Sequence, residues 1–233
     1  MADRMLKFVN VDQQTPNKRK VDKRVDDFKE IYDQFIHDKA KEQSSRCSQC
    51  GVPFCQIHCP LQNNIPDWLK LTAEGRLKEA SELAHSTNNM PEVCGRICPQ
   101  DRLCEGNCVI EQSGLGTVTI GSVEKYITDT AWEKGWIKTI KVEKEKDQSV
   151  GIIGAGPAGL ACAEELRKLS YAVTIYDRYD RAGGLLIYGL PNFKLEKFVV
   201  ERRTNLLKES GIKFQQNVEI GKELSLEELK KKT

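Results

Sequence analysis

The 233-residue chain has no run of about eighteen apolar residues, so no membrane-spanning helix is visible in it. Its opening, Met1-Ala2-Asp3-Arg4-Met5-Leu6-Lys7, is charged and lacks an apolar h-region, so no signal peptide is visible either. Both absences place the chain in the cytosol, where thiols stay reduced and disulfides are not expected. Histidine is scarce: His37, His58 and His85 are the only three, and they form no pattern with a catalytic partner. No dyad or triad is legible, so nucleophilic catalysis by the chain itself is not indicated. The net charge is only +2, and there is no clustered basic face of the kind a nucleic-acid partner requires. Lys230-Lys231-Lys232 reads as a solvated helix end.

Against this stands an abundance of one residue type. Eight of the nine cysteines fall in two groups, Cys47-x2-Cys50-x4-Cys55-x3-Cys59-Pro60 and Cys94-x3-Cys98-x5-Cys104-x3-Cys108. Short, uneven spacings, with Pro60 and Pro99 directly after a cysteine, are what polynuclear iron–sulfur clusters need, each cube taking four ligands. Eight positions suggest two cubes and a path for single electrons. Structural zinc is a weaker reading, because it prefers paired C-x2-C knuckles and only Cys47 and Cys50 form one. Disulfides are weaker still. Cys162, outside the groups, reads as a small buried hydrophobe.

Residues 1–20 form a polar lead-in broken by Pro16. From Val21, the apolar residues Val21, Val25, Phe28, Ile31, Tyr32, Phe35 and Ile36 predict one helix with a buried stripe. Helices are also predicted from Ile65-Pro66 to before Gly75, from Leu77 to His85, and from Ile120 to before Gly135. Residues 21–137 thus read as an all-α domain holding two clusters, and residues 138–148 as a charged linker.

The composition then changes. Ser149 to Ile153 is a short apolar strand that runs into Gly154-Ala155-Gly156-Pro157-Ala158-Gly159 and a helix through Leu169. Tyr171 to Tyr176 is the next strand, with Asp177 at its end. This is the dinucleotide fingerprint in its strand–turn–helix context, and Asp177 stands where a carboxylate binds a ribose hydroxyl. Arg178 and Arg181 could read a 2′-phosphate. Gly183 and Gly184, followed by Leu185, would let backbone approach a second part of a long cofactor. FAD fits that better than a nicotinamide, and a simple glycine turn is the plainer alternative. A helix is predicted from Leu195 to Ser210, a strand from Ile212, and a capping box at Ser225-Leu226-Glu227-Glu228. The fold class expected is α+β overall: the all-α double iron–sulfur domain, then the start of a Rossmann-like α/β FAD-binding domain over 149–233. Only the first strands of that domain are legible and no second fingerprint for NADPH follows, so the sequence reads as an N-terminal portion of a longer protein.

Four stretches also carry a family resemblance: Cys47 to Cys55, Asn88 to Gly106, Gly121 to Ile127, and Gly183 to Pro191. They resemble the small (β) subunit of NADPH-dependent glutamate synthase, and less closely the N-terminal part of dihydropyrimidine dehydrogenase and NADPH–ferredoxin transhydrogenases. The resemblance implies two 4Fe–4S clusters, FAD, NADPH bound in a further C-terminal part, and a large (α) subunit as partner. Electrons would pass from NADPH through FAD and the clusters to that subunit, where glutamine and 2-oxoglutarate yield glutamate. By itself this chain would be inactive with NADPH. The resemblance also implies an interleaved ligand set. Cys47, Cys50, Cys55 and Cys108 would hold one cube; Cys59, Cys98, Cys104 and Glu124 would hold the other. Cys94 would then be a neighbour without iron.

Overall fold

The computed structural model describes residues 5–232. The first four residues of the charged opening lie outside the described ones. Two compact units are present, Met1–Ile137 and Lys138–Thr233.

The first unit is helical: α1 (Val21–Asp27), α2 (His37–Ser44), α3 (Phe54–Ile57), α4 (Ile65–Ala73), α5 (Leu77–Thr87), α6 (Pro91–Ile97), α7 (Val109–Gln112) and α8 (Ile120–Glu133), after a 3-10 turn at Lys7–Val9. Pro66 and Pro91 sit in the first turns of α4 and α6, where a missing N–H costs nothing. Gly75, at φ +79°, turns the chain out of α4. On α8, Ile120, Val123, Ile127 and Ala131 recur every three or four residues, and all are buried. Ile120, Val123 and Ile127 share one core with Trp68 and Leu69 of α4 and Ala80 and Ala84 of α5.

The single helix expected from Val21 to Ile36 is not formed. It breaks after Asp27, where Phe28 takes the left-handed conformation at φ +51°. The Asp27 carboxylate accepts the Lys29 N–H at 2.9 Å, a local bond that competes with helix continuation. Tyr32 instead bridges antiparallel to Lys18, and α2 starts afresh at His37. Of the supposed buried stripe only Phe35 is buried; Val21, Val25, Phe28, Tyr32 and Ile36 are exposed.

The second unit carries β1 (Ser149–Ile153), α9 (Pro157–Lys168), β2 (Ala172–Asp177), α10 (Leu185–Tyr188), α11 (Lys197–Glu209), β3 (Lys213–Gln216) and α12 (Leu226–Lys232). The strands form a parallel sheet in the order β1-β2-β3, with Ile152 opposite Ile175 and Ile175 opposite Phe214. Parallel neighbours need crossovers, and α9 and α11 supply them. Residues 138–148 are irregular but tied to this unit: the Ile140 N–H donates to Ser210 Oγ at 3.0 Å, and the Lys146 N–H to the Ser170 carbonyl at 2.9 Å. The capping box forms, with the Glu228 N–H on Ser225 Oγ at 3.2 Å and the Ser225 N–H on Glu228 Oε2 at 3.0 Å.

Cys162 departs from expectation. It is exposed, because α9 buries the stripe through Leu160, Ala163, Glu164 and Arg167 and position 162 lies off it. Among the described residues no helix is long and apolar enough to cross a membrane.

Candidate iron–sulfur and dinucleotide sites

The eight clustered thiols are all free, and they sort by space differently from the way they sort by sequence. Cys47, Cys50, Cys55 and Cys108 line one cavity. Cys59, Cys94, Cys98 and Cys104 line another of about 150 Å³, together with Glu124. The two sequence groups have exchanged a member: Cys59 leaves the first, and Cys108, at the N-cap of α7, leaves the second. One apolar side chain, Ile120, belongs to the walls of both cavities.

Polar side chains set the loops in these positions. Gln49, at φ +53°, donates from Nε2 to the Pro66 carbonyl at 2.7 Å and to Cys47 Sγ at 3.3 Å, pinning the first loop to α4. Gln100 donates to the carbonyls of Cys94 and Gly95 at 3.2 and 3.3 Å. Glu105 Oε1 accepts the Gly121 N–H at 2.9 Å, fastening the Cys104 loop to the start of α8. Gly95 lets α6 and α8 meet backbone to backbone: a Cβ there would fall 2.7 Å from the Lys125 nitrogen and 2.8 Å from the Gly121 oxygen.

Glu124 is buried, and among the described residues its Oε1 alone is engaged, by Asn88 Nδ2 at 3.3 Å and Asn63 Nδ2 at 3.5 Å. Burial, and then the nearby Cys94, push its carboxyl well above the usual carboxylate range. Burial likewise raises the Cys47 and Cys104 thiols and takes Cys55 up to about 12. The Cys94 thiol donates to Asn88 Oδ1 at 3.8 Å; the neighbouring Cys98 pushes Cys94 up and is itself pushed down by Cys94, leaving Cys98 the readier thiolate. So many acid groups are costly to ionise together in an apolar surround. A bound cation reverses that cost, since a coordinating thiol is deprotonated outright.

The fit to a cluster rests on two further observations. The donors line the walls of cavities, four thiols to each, and four thiolates are the donor set that a 4Fe–4S cube takes. Trp68, 1 % exposed, lines the Glu124 cavity, and its indole N–H has no hydrogen-bond partner among the described residues. A buried unpaired donor costs about 1–3 kcal/mol, which an acceptor held in the cavity would recover.

In the second unit the fingerprint loop has its expected shape. Gly154, at φ +104°, donates its N–H to the Tyr176 carbonyl at 2.7 Å. A Cβ at Gly159 would fall 2.0 Å from the Gly154 oxygen, so α9 can follow β1 this closely only with glycine there. Gly156 caps α9, with Pro157 and Ala158 exposed in its first turn and Ala155 buried behind them. Gly184, at φ +53°, lies over Gly156: a Cβ on it would be 2.8 Å from the Gly156 Cα. Leu185 opens α10 and is 75 % exposed. Asp177 stands at the end of β2, where its carboxylate accepts the N–H groups of Ala155 at 2.6 Å and Tyr179 at 2.8 Å. With Gly154, Arg178, Tyr179 and Glu219 it borders an open cleft of about 330 Å³. Arg178 lies over the Tyr179 ring and 4.0 Å from Glu219.

Asn63, Asn88, Gln100 and the free Trp68 N–H were not singled out by sequence reasoning. Asn88 alone had a legible cue, as a polar residue shortly before the Pro91 that opens α6.

The family described as dihydropyrimidine dehydrogenase domain II, 4Fe-4S cluster, matches residues 24–136, and the NAD(P)-binding Rossmann-like domain family matches residues 152–211. The glutamate synthase [NADPH] small chain of Azospirillum brasilense is 64 % identical over 229 residues, covering 98 % of this chain and 48 % of the relative. The small chain of the same name from Escherichia coli K12 is 46 % identical, with the same coverages, and that of Bacillus subtilis 168 is 44 % identical over 96 % and 46 %. The chain thus spans about half the length of the curated relatives it matches.

Proposed function

This chain is a homologue of the glutamate synthase [NADPH] small chain over about half that protein's length, with a 4Fe-4S domain and an NAD(P)-binding domain, and on that premise we propose that it is the electron-transfer part of such a subunit. In this reading electrons from NADPH pass by FAD and two 4Fe–4S clusters to a large subunit, which forms glutamate from glutamine and 2-oxoglutarate. Bound flavin and clusters supply the conversion of a two-electron hydride equivalent into single electrons.

The chain's own residues do the holding. Cys47, Cys50, Cys55 and Cys108 are assigned to one cluster, and Cys59, Cys98, Cys104 and Glu124 to the other. The Gly154–Gly159 loop, with Gly184 over it, offers backbone to the FAD pyrophosphate, and Asp177 fixes the loop and the ribose. Arg178 and Leu185 flank that position. The functional domains are taken as 21–137 and 149–233, joined by 138–148. The NADPH site is assigned to the half of the relatives' length that this chain does not span, and the chain is placed in the cytosol.

The observation that carries the reading is the sorting of the thiols into two cavities. Anaerobic reconstitution is the test: about eight irons with matching acid-labile sulfide are expected. Stoichiometric zinc without sulfide overturns it. NADPH-dependent dye reduction, expected from a full-length subunit and not from residues 1–233, checks where NADPH binds. The match to a family named for dihydropyrimidine dehydrogenase supports a second reading, a related NADPH-dependent reductase with another acceptor. The protein that copurifies with the full-length chain separates the two.

A further inference from the structure

We infer that Asn88, assisted by Asn63, is a positioning residue that makes Glu124 a one-oxygen ligand, holding Oε1 and leaving Oε2 for iron. The inference rests on the proposed role of Glu124 and adds to it the means by which a carboxylate is presented.

The orientation of Asn88 is not arbitrary. Its Oδ1 accepts the Met90 N–H at 3.0 Å, and a backbone N–H can only donate. The amide NH2 is therefore the side left to face Glu124, at 3.3 Å from Oε1. Asn63 is placed in the same sense. Its Oδ1 takes the Thr87 hydroxyl at 2.8 Å, and its Nδ2 lies 3.5 Å from the same Oε1. Both asparagines are buried. Oε2 has no hydrogen bond to any described residue. Met90 directly precedes α6, which carries Cys94 and leads into Cys98, so the anchor of the clamp and two of the cavity's sulfurs share one segment.

Two donors on one oxygen also discriminate between ligands. A glutamine at 124 would turn its carbonyl to the clamp, because only an acceptor satisfies both amides. Its NH2, which has no lone pair to offer, would then face the iron. The clamp thus favours a carboxylate over the isosteric amide.

The experiment uses the full-length subunit, reconstituted anaerobically, with iron, sulfide and the EPR signals of the reduced clusters measured. Glu124→Ala first tests the underlying role: if both signals and all iron are unchanged, the assignment of Glu124 fails and the clamp with it. Where Glu124→Ala does alter one cluster, Asn88→Ala is expected to alter the same signal and leave the other unmoved, and the unmoved signal reports that the fold survives. Asn63→Ser, which removes only the longer arm, is the milder variant and is expected to shift that signal less. Glu124→Gln is expected to lose about half the iron. The exchange Asn88→Asp with Glu124→Gln, made together with Asn63→Ser so that no amide donor is left on that atom, reverses donor and acceptor and is expected to restore it, an outcome that a purely structural role for Asn88 does not produce. An unmoved signal in both Asn88→Ala and Asn63→Ser, or full iron in Glu124→Gln alone, overturns the clamp while leaving Glu124 a ligand.

Discussion

Replacing Gly95 by alanine tests how the second cavity is held together. The added methyl would lie 2.7 Å from the Lys125 nitrogen and 2.8 Å from the Gly121 oxygen, both backbone atoms of α8. A flexible side chain could swing away from it; a helix backbone cannot. Forcing a methyl into packed structure costs about 1–3 kcal/mol, and these contacts belong at the upper end. Alanine returns up to about 1 kcal/mol as the better helix former. A net loss of about 1–2 kcal/mol follows, or a melting point lower by roughly 3–8 °C for a unit of this size. The second effect bears more directly on the site: α6 carries Cys94 and leads into Cys98, and α8 carries Glu124, so parting these helices parts the donors. Iron and sulfide content, with thermal loss of cluster absorbance at a fixed scan rate, reads both effects. Gly51→Ala is the control. It sits beside Cys50, yet a Cβ there meets nothing within 4 Å, and a change within about 0.5 kcal/mol is expected. If Gly95→Ala matches the wild type in melting and in iron, the close approach of α6 and α8 does not hold the cavity together.

Cys94→Ala is expected to keep both clusters, whereas Cys98→Ala loses about half the iron; the reverse result, with Glu124→Ala silent, would make all-cysteine ligation correct. In freshly prepared cluster-free protein at pH 8, Cys98, pushed down by the neighbouring Cys94, is expected to alkylate at least about tenfold faster than Cys55, which burial pushes up to about 12. Peptide mass spectrometry over a time course gives the order, and equal rates would contradict the assigned pair. Gly159→Ala is expected to weaken dinucleotide binding by tenfold or more, roughly 1.4 kcal/mol, because its methyl would strike the Gly154 oxygen at 2.0 Å; calorimetric titration of the full-length subunit with FAD measures it, and unchanged affinity would mean that the loop yields freely.

The second unit was largely legible in the sequence, because its determinants are local. The glycine fingerprint, the strand on either side and the Ser225–Glu228 box each depend on residues a few positions apart, and each appears where the pattern put it. The cysteine block was legible as metal chemistry but not as geometry. Spacing alone divides the eight thiols into two runs of four. The exchange of Cys59 and Cys108 depends on chain reversals near Gln62 and on the docking of α7, which no short window contains. The resemblance, not the spacing, gave the interleaved set. The break at Phe28 was missed because a helical period does not register a carboxylate, Asp27, that captures the next free N–H. Cys162 was misplaced by a rule about residue type where the phase of α9 decides. Asn63 and Asn88 are polar, buried and far apart in sequence, so only the folded chain shows that they serve the same oxygen.

Ile120 forms part of the wall of both cavities, so hydrocarbon lies between them where they adjoin. Hydrocarbon does not screen. At an effective dielectric constant of about 20, unit charges even 10 Å apart interact by roughly 1.5 kcal/mol, which is more than a factor of ten in an equilibrium. Charge gained in one cavity therefore raises the cost of charge in the other, and midpoint values read from a titration belong to the pair of cavities, not to either one. A polar residue at 120 that admitted water would weaken this coupling and leave two centres that fill independently.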